Sequence, residues 1–184
     1  VKEYTFNDIR QFNRNRLLWR DDRVDGVKTG HTESAGYCLI SSAHKNDMRL
    51  ISIVLGTKSE QARESTSRKL LNYGFRFYET FPLHASNEAL ATMRIWKGEA
   101  EKIQLGLNQP LFVTVPRGSR NKVKAHMKVD AMIVAPVKKG QSLGTVNVML
   151  GEEALVSHSL IALHDVNEGG LWRKLVDNII LMFN

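Results

Sequence analysis

A lysine, a threonine and a glycine stand in succession at Lys28, Thr29 and Gly30, inside the stretch Val24–Thr32. The ammonium of Lys28 supplies positive charge and the hydroxyl of Thr29 a neutral hydrogen-bond donor, so the pair could hold a substrate carboxylate. Gly30 leaves the backbone bare where a ligand must approach closely. The β-branched valines of the stretch favour an extended strand.

The alternation of a strand constrains how these side chains cooperate. Lys28 and Gly30 lie on one strand face and Thr29 on the other. Lys28 and Thr29 can therefore serve one groove only if the strand is a twisted edge strand that borders it. On the tripeptide alone, a solvated lysine on an edge strand is the favoured interpretation.

Further motifs surround this stretch and extend over nearly the whole chain. They are Asn13-Arg14-Asn15-Arg16-Leu17-Leu18-Trp19, Ala35-Gly36-Tyr37, Gly56, Arg63-Glu64, Arg68-Lys69-Leu70-Leu71, Arg94-Ile95-Trp96 and Val134-Ala135-Pro136. With these motifs the chain resembles the low-molecular-mass penicillin-binding proteins, the D-alanyl-D-alanine carboxypeptidases. Lys-Thr-Gly is one of three sequence elements of the active-site serine enzymes of this class.

The resemblance implies an α+β fold in three parts. Residues 1–82 would be the C-terminal part of a serine DD-peptidase (transpeptidase-like) domain, an antiparallel sheet plus a helix that carries the Lys-Thr-Gly strand. Residues 83–167 would form a small all-β, sandwich-like second domain, and residues 168–184 an amphipathic membrane-associating helix. The implied location is the periplasmic side of the bacterial inner membrane, as a peripheral protein.

The implied activity is that of a serine-type D-Ala-D-Ala carboxypeptidase, which removes the terminal D-alanine from peptidoglycan pentapeptides through an acyl-enzyme and binds penicillin. Its partners would be the peptidoglycan stem peptide that ends in D-Ala-D-Ala and β-lactam antibiotics, and no cofactor is implied. Lys28 would supply catalytic charge and assist the proton relay, while Thr29 would hold the leaving residue's carboxylate. The backbone N–H of His31 would be one oxyanion-hole donor.

Arg63 is implied as a further charge near the bound carboxylate. By residue type and position alone, a surface arginine paired with a neighbouring glutamate is the favoured interpretation of Arg63.

The other two elements of the family's chemistry, a Ser-x-x-Lys and a Ser-x-Asn, are missing ahead of Lys-Thr-Gly. Ser42…Lys45 and Ser119…Lys122 match Ser-x-x-Lys, and Ser119-Arg120-Asn121 matches Ser-x-Asn, but all follow Lys-Thr-Gly and stand at predicted strand ends. We therefore expect a fragment of a longer precursor that is inactive alone, a view supported by Val1 in place of methionine. A non-catalytic membrane-tethered β module and a β-lactamase of the same superfamily are the alternatives.

Composition excludes some other classes. The net charge of +7 favours anionic surfaces, but the basic residues are scattered in the sequence, so nucleic-acid binding is not expected. The single cysteine, Cys38, excludes an internal disulfide, and its apolar neighbours predict a buried structural thiol. The six histidines show no metal-ligand spacing, so no metal site is predicted.

The elements that must position Lys28 are predicted as three strands over residues 24–30, 36–43 and 49–56, which short links join into an antiparallel meander. A polar approach, residues 1–20, precedes them. A helix follows, opened by Thr57 as N-cap with Glu60 in a capping box, and ended by Gly74 after Tyr73. Its predicted inner stripe is Ala62, Thr66, Leu70 and Tyr73.

The rest of the chain consists of short apolar runs up to about residue 165, typical of an antiparallel sandwich or barrel. The runs are predicted at 100–107, 111–115, 123–127, 131–134, 142–150 and 154–161. From Leu171 to Phe183 the pattern is that of a helix with one apolar half, too short to cross a bilayer but suited to its surface. The alternative is a helix docked on its own domain or on a partner.

Overall fold

The computed structural model describes residues 1–182, and the chain divides into two compact units, Val1–Thr80 and Phe81–Asn184. Strands dominate both, with two α-helices, so the α+β class is confirmed. The first unit contains β1 (Glu3–Phe6), β2 (Ile9–Phe12), a 3-10 helix (Arg16–Trp19), β3 (Val24–Thr32), β4 (Gly36–Lys45), β5 (Met48–Thr57) and α1 (Glu60–Phe77). The chain then continues through β6 (Tyr78–His84), β7 (Ala91–Trp96), β8 (Lys102–Gly106), β9 (Leu111–Pro116), a second 3-10 helix (Arg120–Lys122), β10 (Val123–Val129), β11 (Ile133–Val134), β12 (Ser142–Leu150), β13 (Glu153–Ala162) and α2 (Leu171–Met182).

The predicted meander is confirmed as a three-stranded antiparallel sheet in the order β3-β4-β5. Lys45 pairs with Met48, so two residues connect β4 to β5, and the first of them, Asn46, has a φ of 53°. A positive φ is what a tight hairpin turn of this kind requires. One face of the sheet buries Leu39, Ala43 and Met48 in a cluster with Leu71 and Phe75 of α1.

The predicted ends of α1 were wrong at both termini. The N-cap is Ser59, whose Oγ accepts a hydrogen bond from the N–H of Ala62, whereas Thr57 ends β5 and donates to the carbonyl of Tyr37. The helix also continues through Gly74 to Phe77. A Cβ on Gly74 would lie 2.4 Å from Cδ1 of Leu50, so this glycine permits close packing of helix on sheet.

The predicted inner stripe of α1 was wrong as well. Leu70 and Tyr73 are exposed, and the side chains buried against the sheet are Arg63, Glu64, Ser67, Leu71 and Phe75. Three of these five are polar or charged, and apolar periodicity does not reveal such a stripe.

The segment before β3 is more regular than predicted. Strands β1 and β2 form an antiparallel hairpin with Phe6 opposite Ile9. The 3-10 helix then places Leu17, which is fully buried, in the core beneath α1.

In the second unit a six-stranded sheet has the order β10-β12-β13-β8-β7-β11, and β6 pairs with β9. All six predicted runs overlap a strand, and the 142–150 run matches β12 in full, but β6 and β7 were not predicted. Two apolar clusters fill the interior, one centred on Ile95, Ile103 and Leu105 and the other on Val146 and Leu160.

Helix α2 is confirmed through Met182, and the predicted last apolar residue, Phe183, lies outside the described residues. Its apolar side chains face solvent, with Leu171, Trp172 and Met182 exposed by 89%, 77% and 84%. No helix within residues 1–182 combines the length and apolar character needed to cross a bilayer.

The polar face of α2 is attached to its own unit. Asp177 is 2% exposed, and its carboxylate accepts a 2.6 Å hydrogen bond from the backbone N–H of Lys97. The same carboxylate lies 3.4 Å from Arg94 and 3.6 Å from Arg173. The helix is therefore docked through its polar side while its apolar side faces outward.

Candidate functional site

A groove of about 640 Å³ lies along β3. It is lined by Arg14, Lys28, Thr29, Gly30, His31, Tyr37, Glu60 and Arg63. The structure thus brings together all five residues predicted from the sequence as site residues, and adds Arg14, Tyr37 and Glu60.

The position of β3 explains how Lys28 and Thr29 reach one groove from opposite strand faces. Strand β3 is an edge of its sheet, with only β4 beside it, as the sequence analysis required. Lys28 is paired with Ile40, Thr29 with Leu39 and Gly30 with Cys38. A twisted edge strand presents both of its faces to the space beyond the sheet, so both side chains line the groove.

Lys28 is exposed, and its Nζ donates a 2.7 Å hydrogen bond to the carbonyl of Thr29. Within residues 1–182 no carboxylate lies within ion-pair distance of this ammonium, so its charge is available to a ligand in the groove. The Thr29 side chain is half-buried beside it.

Arg63 is not the surface arginine that its residue type alone favoured, because it is 1% exposed. Its guanidinium donates to the carbonyl of Gly30 at 3.4 Å, to the carbonyl of Arg14 at 3.1 Å and to Oε1 of Glu60 at 3.4 Å. Among the described residues its Nε has no partner. Arg63 therefore ties α1 to the Lys-Thr-Gly backbone and brings a buried positive charge to the wall of the groove.

His31 and Tyr37 form the end of the groove. Their rings are 4.0 Å apart between centroids, and the Arg63 guanidinium lies 5.7 Å from the centroid of the Tyr37 ring. Aromatic packing of this kind fixes ring orientation, so the His31 side chain helps to shape the groove.

The segment before β3 holds this strand in place through hydrogen bonds. Asn15 is 4% exposed, and its Nδ2 donates to the carbonyl of Gly26 at 3.4 Å. The backbone N–H of Asn15 is in turn bound by Oδ1 of Asn13 at 2.9 Å. The motif from Asn13 to Trp19 is thus a structural support of the groove.

The local structure removes Ser42 as a substitute nucleophile. Ser42 and Lys45 lie on β4 three residues apart, so their side chains point to opposite faces of the sheet. Arg49 donates hydrogen bonds to the Ser42 hydroxyl and to both oxygens of Asp25. The hydrogen bond from Arg49, followed by that from Ser42, lowers the pKa of Asp25.

Ser119 is equally unsuited to the role of nucleophile. It precedes the second 3-10 helix in the second unit, whereas the groove is lined by residues of the first.

Comparison with known proteins matches both units to family models. Residues 1–59 match the D-alanyl-D-alanine carboxypeptidase family, and residues 78–168 match the C-terminal domain of penicillin-binding protein 5. Among curated relatives, D-alanyl-D-alanine carboxypeptidase DacC of Escherichia coli K12 is 43% identical over 100% of this chain and 46% of its own length. DacA of the same organism is 42% identical over the same shares.

Among solved structures, penicillin-binding protein 5 from Haemophilus influenzae aligns with a TM-score of 0.81 and 40% identity, over 91% of this chain and 50% of that protein. The carboxypeptidase DacD from Francisella tularensis aligns with a TM-score of 0.56 and 37% identity, over 88% and 40%. The chain spans about half the length of the curated relatives it matches.

Proposed function

The chain belongs to the D-alanyl-D-alanine carboxypeptidase family of penicillin-binding proteins, and from this membership we propose that it is part of a serine-type carboxypeptidase. The enzyme would remove the terminal D-alanine from peptidoglycan pentapeptides through an acyl-enzyme and would bind β-lactam antibiotics. In this proposal a segment outside the chain supplies the serine, the lysine that follows it and the Ser-x-Asn.

One observation carries the assignment of the site. Three cationic side chains, Arg14, Lys28 and Arg63, line the groove against a single carboxylate, Glu60, which Arg63 already contacts. The groove is therefore a positively charged cleft in which the Thr29 hydroxyl and the Gly30 backbone are accessible to a ligand. Recognition of a peptide's terminal carboxylate requires these features.

Each residue then has a role within that cleft. Lys28 and Thr29 bind the leaving D-alanine's carboxylate by charge and hydrogen bond, and Lys28 assists proton transfer to and from the serine. The backbone N–H of His31 is a donor to the developing oxyanion. Arg63 is held by three acceptors, so it contributes charge and fixes the strand at Gly30, while the Gly30 backbone lets the peptide approach.

The first test uses this chain alone with a fluorescent penicillin, followed by denaturing electrophoresis. We expect no labelled band at 20.8 kDa, because none of the described residues that line the groove is a serine. A labelled band that disappears in the Ser42→Ala or Ser119→Ala variant would show that the chain carries its own nucleophile, contrary to the proposal.

A second test places Lys28→Ala in the complete enzyme. We expect acylation by penicillin to fall more than about tenfold, which corresponds to roughly 1.4 kcal/mol of lost transition-state stabilisation. Lys45→Ala is the matched control, since Lys45 is an exposed lysine of the adjacent strand outside the groove. An unchanged acylation rate would leave Lys28 as a surface lysine.

We also propose that α2 attaches the protein to the outer surface of the cytoplasmic membrane through its apolar face. The exposed apolar side chains could bury a few hundred Å², worth several kcal/mol at about 25 cal/mol per Å² before ordering costs. The cations of the helix already have partners, Lys174 with Glu168 and Arg173 with Glu101. Attachment should therefore resist salt and yield to detergent.

Liposome sedimentation of the protein with and without residues 171–184, at low and high salt, tests this attachment. Equal pelleting of both forms would rule out the anchor. Release by salt alone would show that charge, and not the apolar face, holds the protein.

A further inference from the structure

The positive charge of the second unit is concentrated around its edge strand. Between Arg117 and Val129 the chain carries five lysines and arginines and no aspartate or glutamate. These are Arg117, Arg120, Lys122, Lys124 and Lys128. In the sequence they look scattered, but the alternation of β10 places Lys124, His126 and Lys128 on one face of that strand.

The sheet register extends this face across two further strands. Lys124 lies opposite Met149, His126 opposite Asn147 and Lys128 opposite Thr145. Asn147 and Thr145 in turn lie opposite Ser157 and Ser159 of β13. We call this the cationic sheet face, and define it by Lys124, His126, Lys128, Asn147, Thr145 and Ser159.

The reverse side of the same strands packs against the apolar core. Val123 and Val129 of β10 and Val146 and Val148 of β12 contact one cluster there. The cationic sheet face therefore points away from the core, and its members are exposed or half-exposed.

The lysines of this face have no carboxylate partner. Within residues 1–182 no aspartate or glutamate lies within 4 Å of the ammonium of Lys122, Lys124 or Lys128, whereas Lys138 is paired with Asp165. Strand β12 carries no charged residue. The acids closest along the strands are Asp130, which follows β10 two residues after Lys128, and Glu153, which pairs with Leu150 at the end of β12. The charges of Lys124 and Lys128 are thus unpaired within residues 1–182, and they adjoin a row of neutral amide and hydroxyl groups.

We propose that the cationic sheet face binds a carboxylate-bearing glycan–peptide polymer, the chemical class of the substrate in the proposed function, on which this inference rests. Lysine ammoniums would pair with the polymer's carboxylates, and Asn147, Thr145 and Ser159 would hydrogen-bond its hydroxyl and amide groups. Strand β10 is an edge of its sheet, so backbone groups along it are also open to an extended ligand.

Its place in the sheet favours this polymer over lipid head groups. Across the paired strands, Lys124 is level with Ala154, and Ala162 is level with Ala91. The path from Ala154 to Ala162 and on from Ala91 to Arg94 covers about ten residues along the strands, about 30 Å. Arg94 contacts Asp177 of α2, so Lys124 lies at the opposite end of this register from the helix with the exposed apolar face. A bilayer surface bound by α2 would leave Lys124 far from its phosphates.

The test is cosedimentation of the chain with purified insoluble peptidoglycan at low ionic strength. We expect the Lys124→Gln/Lys128→Gln variant to lower the association constant by about fivefold or more, as two lost ion pairs would do. The matched control is Lys45→Gln/Lys69→Gln, which removes two exposed lysines from the first unit and should change binding less than about twofold. Amidation of the polymer's carboxylates should abolish the difference between variant and wild type.

Equal losses in variant and control, or unchanged binding after amidation, would overturn the proposal. So would a loss confined to phosphatidylglycerol vesicles, which would identify lipid phosphate as the ligand. A loss in Lys28→Ala as large as that in the Lys124→Gln/Lys128→Gln variant would assign the polymer to the groove instead. Normal penicillin labelling of the complete enzyme together with failed polymer binding would refute this inference and leave the proposed function intact.

Discussion

The interiors of the two units differ in kind. Seven of the eight buried polar or charged side chains of the described residues lie in the first unit, among them Arg63, Glu64 and Ser67. The second unit has two apolar clusters, and Asp177 is its one buried charge within residues 1–182.

The two interiors differ because the two units place their charged side chains in different positions. In the first unit a polar interior lies directly behind the groove, where Arg63 reaches from α1 to the backbone of Gly30. In the second, the core is apolar and the charges are on the surface, at β10 and where α2 docks. Stability in the first unit should therefore rest on specific polar contacts as well as on its apolar cluster, and in the second mainly on packing.

The largest effect expected from this contrast is that of Leu105→Ala. Leu105 is fully buried in an apolar cluster of the second unit, so truncation should cost about 2–5 kcal/mol of unfolding free energy. Leu55→Ala makes the same chemical change at an exposed position of β5 and should cost less than about 0.5 kcal/mol. Urea denaturation of both variants measures the difference, and similar costs would show that packing around Leu105 does not stabilise the second unit.

Asp177→Ala should have the next largest effect. It leaves the Lys97 N–H without its acceptor and removes the ion pairs to Arg94 and Arg173, at a cost of about 1–3 kcal/mol. Amide hydrogen exchange should accelerate in α2 far more than in β12. Asn178→Ala, on the exposed side of the helix, is the control and should leave exchange unchanged. Unaltered protection of α2 in the Asp177 variant would show that packing alone holds the helix.

Asp21→Asn should have a smaller, pH-dependent effect in the first unit. A hydrogen bond from Arg23 lowers the pKa of Asp21, and Arg23 also donates to Asn72 of α1. Because the folded-state pKa is depressed, this stabilisation is present above the unfolded pKa of about 3.9 and is lost as the pH falls through the folded value. Wild type should exceed the variant by up to about 1 kcal/mol at pH 7, and the difference should shrink at a lower pH, below the unfolded pKa of Asp21. A difference that persisted at the lower pH would refute this account.

Ser67→Ala should have the smallest effect. The Ser67 hydroxyl is buried without a hydrogen-bond partner in the described part of the chain, so its removal should change stability by less than about 0.5 kcal/mol or raise it slightly. Ser65→Ala, which removes an exposed hydroxyl bonded to the Ala62 carbonyl, is the comparison. A loss above about 1 kcal/mol would mean that the Ser67 hydroxyl does contribute to the polar interior.

The elements that were predicted from the sequence, and those that were not, follow the same difference between apolar and polar interiors. Strands β3, β4 and β5 and helix α2 were predicted because apolar alternation and amphipathic periodicity report burial against an apolar neighbour. The stripe of α1 was mispredicted because Arg63, Glu64 and Ser67 are buried by polar contacts that periodicity does not register. Gly74 predicted a helix end, but its role in the structure is to permit the close approach of the Leu50 side chain.

The groove residues were predicted from the family motif, because the apolar and charge patterns of the sequence alone did not identify them. Lys28, Thr29, Gly30 and His31 are contiguous, so the motif placed them together, while Arg63 required the resemblance. Tyr37 was noted only as part of a motif, because its packing on His31 depends on strand register. The cationic sheet face was missed for the same reason, since only pairing across β10, β12 and β13 brings its members together.

The docking of α2 through Asp177 has a consequence for the thermodynamics of the proposed membrane attachment. A free amphipathic segment folds only at the bilayer, and the conformational entropy it loses there reduces its net affinity. Here that entropy is lost when the protein itself folds, and the apolar face is preorganised before any lipid is met. The bilayer would then meet a rigid helix, and the tilt of the second unit on the membrane would be set by the geometry of one buried carboxylate.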